Sequence, residues 1–502
     1  MRPGARRPAA VRTVSPLTGL RRRSLGGVEV TAQSVAVTAP SMAMASAPVL
    51  VAAAAGNGTM YSYLIGTFVM LLVGYCVSQF AGRMAAAGSL YSFTAKGFGP
   101  SSAIASGVSL ALGYALLAMS TLLLSAFYIL QFTHRVGLGG TGTATATGAT
   151  VALVIALAAA ATLCMVRGVC LSARVALAVE SVSIAGILVV LGVLLAKDGL
   201  HPDTRLLRAS GTSVHGVAVG VAQAITSFVG FESAAALGAE ARRPLLSVPQ
   251  AVRFTAVGAG ALYLLAAYTQ LNSFGGTAEG LAASRTPLTD LAGQAGASWL
   301  SPVIDLGIAA SGFACAAASA TALTRLLFSM AREGVTARRL GRTHPRFGTP
   351  HVAIRVSMTA VAAVPVALVL AGTSPWDGFL YLVTISTFGY MLAYILVCLA
   401  LPRFLARIGE LTPGPLLAGP LAGAALCYVF AAYVYPLPAA PFYVIFWIFL
   451  SVVATAVVCH LAAARHTSER SARIGVYDET TAGDLFHADF GTDAPAGWRR
   501  VS

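Results

Sequence analysis

The residues with the most chemistry to offer are carboxylates placed where a carboxylate is costly. In Gly230-Phe231-Glu232-Ser233 an acid follows a glycine inside an apolar run that starts near Val214. At the centre of a membrane helix such an acid costs on the order of 3 kcal/mol to insert. The glycine before it weakens the helix and lets backbone groups leave the hydrogen-bond ladder. Glu180 lies roughly two turns into another apolar run. Burial penalises the charged form of a carboxylate with no cation beside it, so Glu180 and Glu232 are the candidates for proton handling. A second reading of Glu232 stands beside this one: it holds the broken helix by accepting hydrogen bonds from freed N–H groups. Glu29 reads as a structural residue at the edge of a span, and Asp305 as a hydrated one near a span's outer end.

A second irregular stretch lies near the start of the chain. Pro40 and Pro48 stand eight residues apart with small residues between them, and a proline removes an N–H and clashes with the preceding turn. The expectation is a helix loosened near mid-membrane between the two prolines, five spans before the break at Gly230. Interrupted helices at corresponding places in two halves of a chain point to a binding site, although Pro and Gly also merely kink membrane helices. The N-terminus of a half-helix suits a carboxylate, and free carbonyls at a C-terminal end suit an ammonium or another cation. A short ligand bearing both groups is an amino acid. Ser311, Ser319, Thr321 and Thr324, with Gly312 among them, repeat at helical spacing; such hydroxyls either ligate Na⁺ or bond back to their own helix. Phe231, Tyr114 and Trp376 could close over a ligand, with packing as the plainer role.

The elements that must position these residues are membrane spans. Of 502 residues 57% are hydrophobic and only 10% charged, with a mean hydropathy of +0.77, whereas soluble domains carry about 25% charged residues. Apolar runs bounded by charges and turn signals predict twelve spans, at 30–55, 59–81, 101–132, 147–166, 172–196, 214–238, 253–274, 299–328, 352–371, 377–401, 413–435 and 440–463. With the amino terminus in the cytoplasm, only Arg135, Lys197, Arg205, Arg208 and Arg285 of the 33 basic residues fall outside. The positive-inside rule then holds throughout and puts both termini in the cytoplasm. The net charge of +15 is therefore a topology signal, not a nucleic-acid footprint. Residues 1–28 read as a basic, uncleaved cytoplasmic tail, 29–463 as the transmembrane domain and 464–502 as a polar cytoplasmic tail, both tails disordered. The seven cysteines form no C-x-x-C pair and read as packing residues. No His/Cys/Asp cluster has metal-ligand spacing and no Walker-type loop is present, so neither a metal, a cofactor nor direct ATP coupling is expected, and an enzyme is not.

Three ordered motifs carry a family resemblance. Gly230-Phe-Glu-Ser-Ala-Ala-Ala-Leu-Gly-Ala-Glu-Ala-Arg-Arg-Pro244, followed by Ser247-Val-Pro249, resembles the sixth-helix signature of the amino acid–polyamine–organocation superfamily of permeases. Ala87-Gly-Ser-Leu-Tyr-Ser-Phe-Thr-Ala-Lys-Gly-Phe-Gly-Pro100 resembles that family's loop after helix two. Arg325-Leu-Leu-Phe-Ser-Met-Ala-Arg-Glu-Gly334 and His344-Pro-Arg-Phe-Gly-Thr-Pro350 resemble its loop after helix eight. The resemblance covers roughly residues 28–463. It implies an all-α integral membrane fold, a five-plus-five inverted repeat with discontinuous helices one and six and two further helices.

It also implies alternating access around a central site in the plasma membrane. Carried over, the substrate carboxylate meets backbone around Thr38 and Pro40, Ser41, Met42 and Ala43. The amino group meets carbonyls around Ser227, Phe228 and Gly230, with Phe231 and Glu232 beside them. The chain departs from the family in three places. Many members have Gly-Ser-Gly where this one has Pro40-Ser41-Met42-Ala43, and Met42 narrows the pocket. Some proton-coupled members carry a lysine in span five where this chain has Glu180. The run Arg-Asp-Gly-x-x-Pro is here Arg332-Glu-Gly-Val-Thr-Ala337. The expected function is secondary transport of an amino acid or related amine, by proton symport. A polyamine or organocation carrier and a substrate/product antiporter are the alternatives, and a membrane-embedded sensor is a distant one.

Overall fold

A computed structural model describes residues 19–138, 143–198, 212–438, 440–466 and 474–475. Residues 1–18 of the basic tail and nearly all of the carboxyl tail lie outside the described residues, and so do Arg205 and Arg208. The described chain is helical: α1 Gly27–Thr38, α2 Pro40–Ala55, α3 Thr59–Ala81, α4 Leu90–Phe98, α5 Pro100–Arg135, α6 Thr143–Arg167, α7 Val169–Asp198 and α8 Val214–Thr226. It continues through α9 Pro244–Ser273, α10 Ala278–Ala283, α11 Pro287–Gln294, α12 Ser301–Arg332, α13 His351–Leu370, α14 Pro375–Ile408, α15 Pro413–Val434 and α16 Phe442–His466. Eleven stretches among the described residues are long and apolar enough to cross a membrane. The first of them, Gly27–Ala81, contains both of the first two expected spans, so the helices match the twelve expected ones. Span one is α1 with α2, and span six is α8 with a 3₁₀ helix, Phe231–Leu237.

The centre of the bundle is α5, which packs along both α12 and α14. Small residues allow the close approach to α14: a Cβ on Gly389 would lie 2.4 Å from the Ser109 carbonyl oxygen. Ser386 Oγ donates to the Gly113 carbonyl across the same crossing at 2.8 Å. Without a hydrophobic drive between helices in lipid, such small-residue contacts and interhelical hydrogen bonds are what hold a bundle. Outward faces remain apolar, with Leu64, Ile65 and Phe68 of α3 and Trp447 and Ile448 of α16 exposed. That is the surface a hydrocarbon solvent requires.

Ionisable side chains in the spans are paired with partners that sequence spacing does not reveal. Glu29 is held by Arg174 of α7 at 2.5 Å. Asp305 is not the hydrated end residue the sequence suggests: it is fully buried, with Oδ2 2.7 Å from Arg135 Nε. The reason is that α5 runs three residues beyond its expected end at 132 and carries Arg135 in its last turn. At the opposite end of α12, Arg325 pairs with Glu240, Nε to Oε1 at 2.7 Å and Nη2 to Oε2 at 3.3 Å. Both of these side chains are buried.

The segment before α1 joins this corner. Ser24 and Leu25 donate their N–H groups to the Glu240 carbonyl at 2.8 and 2.9 Å, and Arg242 N–H returns to the Leu25 carbonyl at 2.8 Å. Leu25 and Ala241 form a parallel bridge. Removing one member of a buried ion pair leaves an uncompensated charge. Glu240→Ala is therefore expected to cost about 3–5 kcal/mol of stability, and the double variant Glu240→Leu/Arg325→Met to recover most of it. Thermal unfolding of the purified protein in detergent measures both.

Candidate functional site

The break in span one is a single residue wide. Ala39 adopts the left-handed conformation, φ 43° and ψ 62°. Its N–H closes α1 on the Val35 carbonyl and its carbonyl opens α2 by accepting from Ala43 N–H, both at 2.9 Å. The next residue explains the position. Proline disfavours the α region for the residue before it, and at the first position of a helix its missing N–H is no loss. The expectation of a loosened stretch from Pro40 to Pro48 is overturned: α2 is continuous through Pro48. A mid-helix proline orphans the carbonyl four residues earlier, here that of Met44, and Gln270 Nε2 of α9 donates to it at 2.8 Å.

Span six breaks where the sequence places it. After α8 the chain leaves the α-helix through Ser227–Gly230, and Gly230 has φ +95°. A Cβ there would lie 2.0 Å from Val37 Cγ1, so only glycine lets the two breaks come this close. Further bonds fasten them together. Ser34 Oγ donates to the Phe231 carbonyl and Ser233 Oγ to the Gln33 carbonyl at 3.3 Å, while Cys315 Sγ of α12 donates to the Val37 carbonyl of span one at 3.0 Å.

Each break carries a buried carboxylate. Glu232 accepts from Tyr394 OH of α14 at 2.5 Å, from Tyr114 OH of α5 at 2.8 Å and from Gly230 N–H at 3.1 Å. Glu180 of α7 accepts the Ser41 N–H at the start of α2 at 2.8 Å, with the Ser41 and Ser311 hydroxyls beside its carboxyl group. Met42 N–H points to Ser311 Oγ of α12 at 3.4 Å. Of the hydroxyl series on α12, Ser311 thus reaches span one. Thr324 instead bonds back to the Thr321 carbonyl at 2.9 Å.

Between the breaks lies a cavity of about 40 Å³. Thr38, Ala39, Met42 and Ala43 line it from span one and Thr226, Ser227 and Val229 from span six, with Leu117, Cys315, Phe379 and Val383 completing the wall. Of the residues singled out in the sequence, Thr38, Met42, Ala43 and Ser227 meet there. Pro40, Ser41, Phe228, Gly230, Phe231, Glu232 and Glu180 do not line it. Phe228 turns edge-on to Tyr263 with ring centres 5.0 Å apart, and Phe231 stacks near Tyr394 at 5.7 Å. Trp376 packs on Phe127 and Phe379. Sequence reading passed over Tyr394, Gln270 and Phe379. A glutamine and a tyrosine inside apolar runs were the available signal for the first two; Phe379 had none.

A bundle of membrane-crossing helices in which two are broken face to face around a cavity is the architecture of a solute carrier. The comparisons agree. The chain belongs to the amino acid permease family, whose profile matches residues 29–410. It is similar to the branched-chain amino acid permease BcaP of Bacillus subtilis, 23% identical over 70% of this chain and 74% of that protein. It is 25% identical to cationic amino acid transporter 4 of Mus musculus, over 73% of this chain and 57% of the relative. An uncharacterized transporter of Mycobacterium tuberculosis, Rv1999c, is 30% identical over 153 residues; the match spans about a third of that relative's length, 34%.

Two substitutions test the local physics. Gly230→Ala combines a strained φ with a clash and is expected to destabilise the protein by about 3 kcal/mol. Gln270→Leu leaves the Met44 carbonyl without a donor, at a cost of about 1–3 kcal/mol. Unfolding midpoints in detergent, compared with the parent protein, read both.

Proposed function

We propose that this protein is a secondary active transporter of the plasma membrane that moves an amino acid or related amine by alternating access, driven by proton symport. The observation that carries the reading is the pair of interrupted helices facing one cavity, because broken membrane helices are where transporters place their substrates. The amino-acid class comes from the family and from the amino acid carriers among its relatives, and the apolar wall of the cavity suits an uncharged side chain. At about 40 Å³ the cavity holds water rather than a whole amino acid, so the site must widen to take its substrate.

Alternating access requires one side shut while the other opens. Toward the end that carries the amino terminus, the route from the cavity is blocked by Glu232 with its two tyrosines and then by Arg325–Glu240. On the opposite side the cavity extends along α2 past Ser46, Ala47 and Leu50. The distribution of basic residues supports a cytoplasmic blocked end, and on that reading the protein takes substrate from outside. Coupling falls to Glu232 and Glu180, the two carboxylates at the breaks. A proton on Glu232 changes how it accepts from Gly230 N–H and the two tyrosines, and so changes how firmly the blocked side is held.

Radiolabelled uptake into proteoliposomes, with and without an inward proton gradient, tests the reading. Uptake is expected to rise with the gradient and to fall at least tenfold in Glu232→Gln. Exchange that ignores the gradient and needs substrate on both sides would move the assignment to antiport.

A further inference from the structure

A second cavity, of about 430 Å³, lies on the side of the bundle between α7 and α12, within the range of about 300–1,000 Å³ typical of ligand pockets. The residues of the two helices account for it. Ser183 Oγ donates to the Gly307 carbonyl at 3.3 Å, and a Cβ on Gly307 would lie 3.1 Å from that hydroxyl, so α7 and α12 come close at this point. One turn along α7 stands Gly186, where a Cβ would meet nothing within 4 Å. The helices thus touch through small residues and leave a gap where the next turn has no side chain to fill it. Ile187 and Ile304 are buried at its floor, while Val182 and Val303 at its rim are 73% and 61% exposed.

The chemistry of the walls defines the occupant. Among the described residues that line the groove Ser183 has the only polar side chain, and its hydroxyl is already engaged by Gly307. No wall residue offers a charge or a free side-chain donor to a polar solute. The lining of α12 runs from Leu300 to Ala310, which at 1.5 Å per residue is about 15 Å, half of a hydrocarbon core of about 30 Å. Trp299, just before it, is 75% exposed, and tryptophan is enriched where hydrocarbon meets headgroups. The groove therefore starts at a membrane interface and is one leaflet deep. Left empty, its walls would forfeit their dispersion contacts, and a flexible methylene chain fills an irregular apolar slot without needing a polar partner.

We propose that the groove between α7 and α12 binds one acyl chain of a phospholipid from the leaflet opposite the amino terminus, and holds it more firmly than the lipid against the other outward faces. The site is separate from the cavity between the breaks and does not depend on what is transported there. It does back onto one of them. One turn from Ser183, Glu180 accepts the Ser41 N–H at 2.8 Å, and one turn from Gly307, Ser311 faces the Met42 N–H at 3.4 Å. A chain in the groove lies beside the seam that holds the start of α2.

The test uses the full chain in vesicles of palmitoyl-oleoyl phosphatidylcholine containing a small fraction of the same lipid with a photoreactive diazirine in its chain. After irradiation the labelled peptides are mapped by mass spectrometry. Labelling of residues 178–187 and 300–310 is expected to exceed, at least fivefold, that of two ordinary outward faces, Leu64, Ile65 and Phe68 of α3 and Trp447 and Ile448 of α16. Gly186→Phe, whose ring enters open space, is expected to bring the groove down to the level of those faces; Gly186→Leu serves should the first variant not fold. Parent labelling of the groove no stronger than that of α3 and α16 overturns the inference, and so does labelling that a folded Gly186 variant leaves unchanged. A second copy of the chain seated there, seen as a cross-link between two α7 helices with the lipid label absent, overturns it too.

Discussion

Inside a bilayer no water is available to a backbone group that leaves its helix, so every interruption must bring its own partners. The organisation of this protein follows from that constraint. Where the chain turns at Ala39, the first N–H of the new helix is met by Glu180 of α7 and the next faces Ser311 of α12. Where Pro48 cannot donate, Gln270 of α9 does so in its place. Where Gly230 turns the sixth span, Glu232 accepts its N–H and is held in turn by tyrosines of α5 and α14. Four surrounding helices are thus committed to the two breaks and a fifth, α9, to Pro48, and their packing positions those side chains.

The same constraint accounts for the character of the cavity. Its polar lining comes mainly from backbone and small hydroxyls at the breaks, while the walls from α5 and α14 are apolar. A one-residue pivot exposes less backbone than a glycine-rich unwound segment would, and Met42 fills part of the space. The outcome is a tight site with largely apolar walls. The two ends of α12, a helix of 32 residues, are each fixed by an ion pair, to α5 through Asp305 and to the loop after span six through Arg325. The helix that forms one wall of the cavity is therefore anchored at both membrane faces.

Much of the architecture was legible in the chain because its physics is one-dimensional. Long apolar runs must become spans, and a glycine followed by an acid in mid-span must break a helix, so the twelve spans and the turn at Gly230 could be read directly. The break in span one was legible in kind but not in form. Two prolines predicted a loose stretch, and whether Pro48 opens its helix depends on Gln270, more than two hundred residues away. Asp305 looked hydrated because the length of α5, and with it the reach of Arg135, depends on how α5 and α12 pack. Tyr394 could not be assigned to Glu232 for the same reason: only the crossing of α14 over span six brings its hydroxyl within reach. Carboxylates announce their own cost in a hydrophobic sequence, whereas the groups that relieve it do not.

The short parallel pairing of Ser24 and Leu25 with Glu240–Arg242 has a mechanical meaning. It welds the outer tip of α1 to the chain just past the 3₁₀ half of span six, while Ser34 and Ser233 stitch the same two pieces together nearer the breaks. Two segments fastened at both ends cannot swing separately. Helix α1 and the Phe231–Leu237 half of span six are thus one piece, tied to the remaining bundle by Arg325–Glu240, by Arg174–Glu29 and by the two tyrosines on Glu232. Loss of the Arg325 guanidinium alone leaves that piece held through Glu29 and Glu232; cutting the pairing would leave two separate struts.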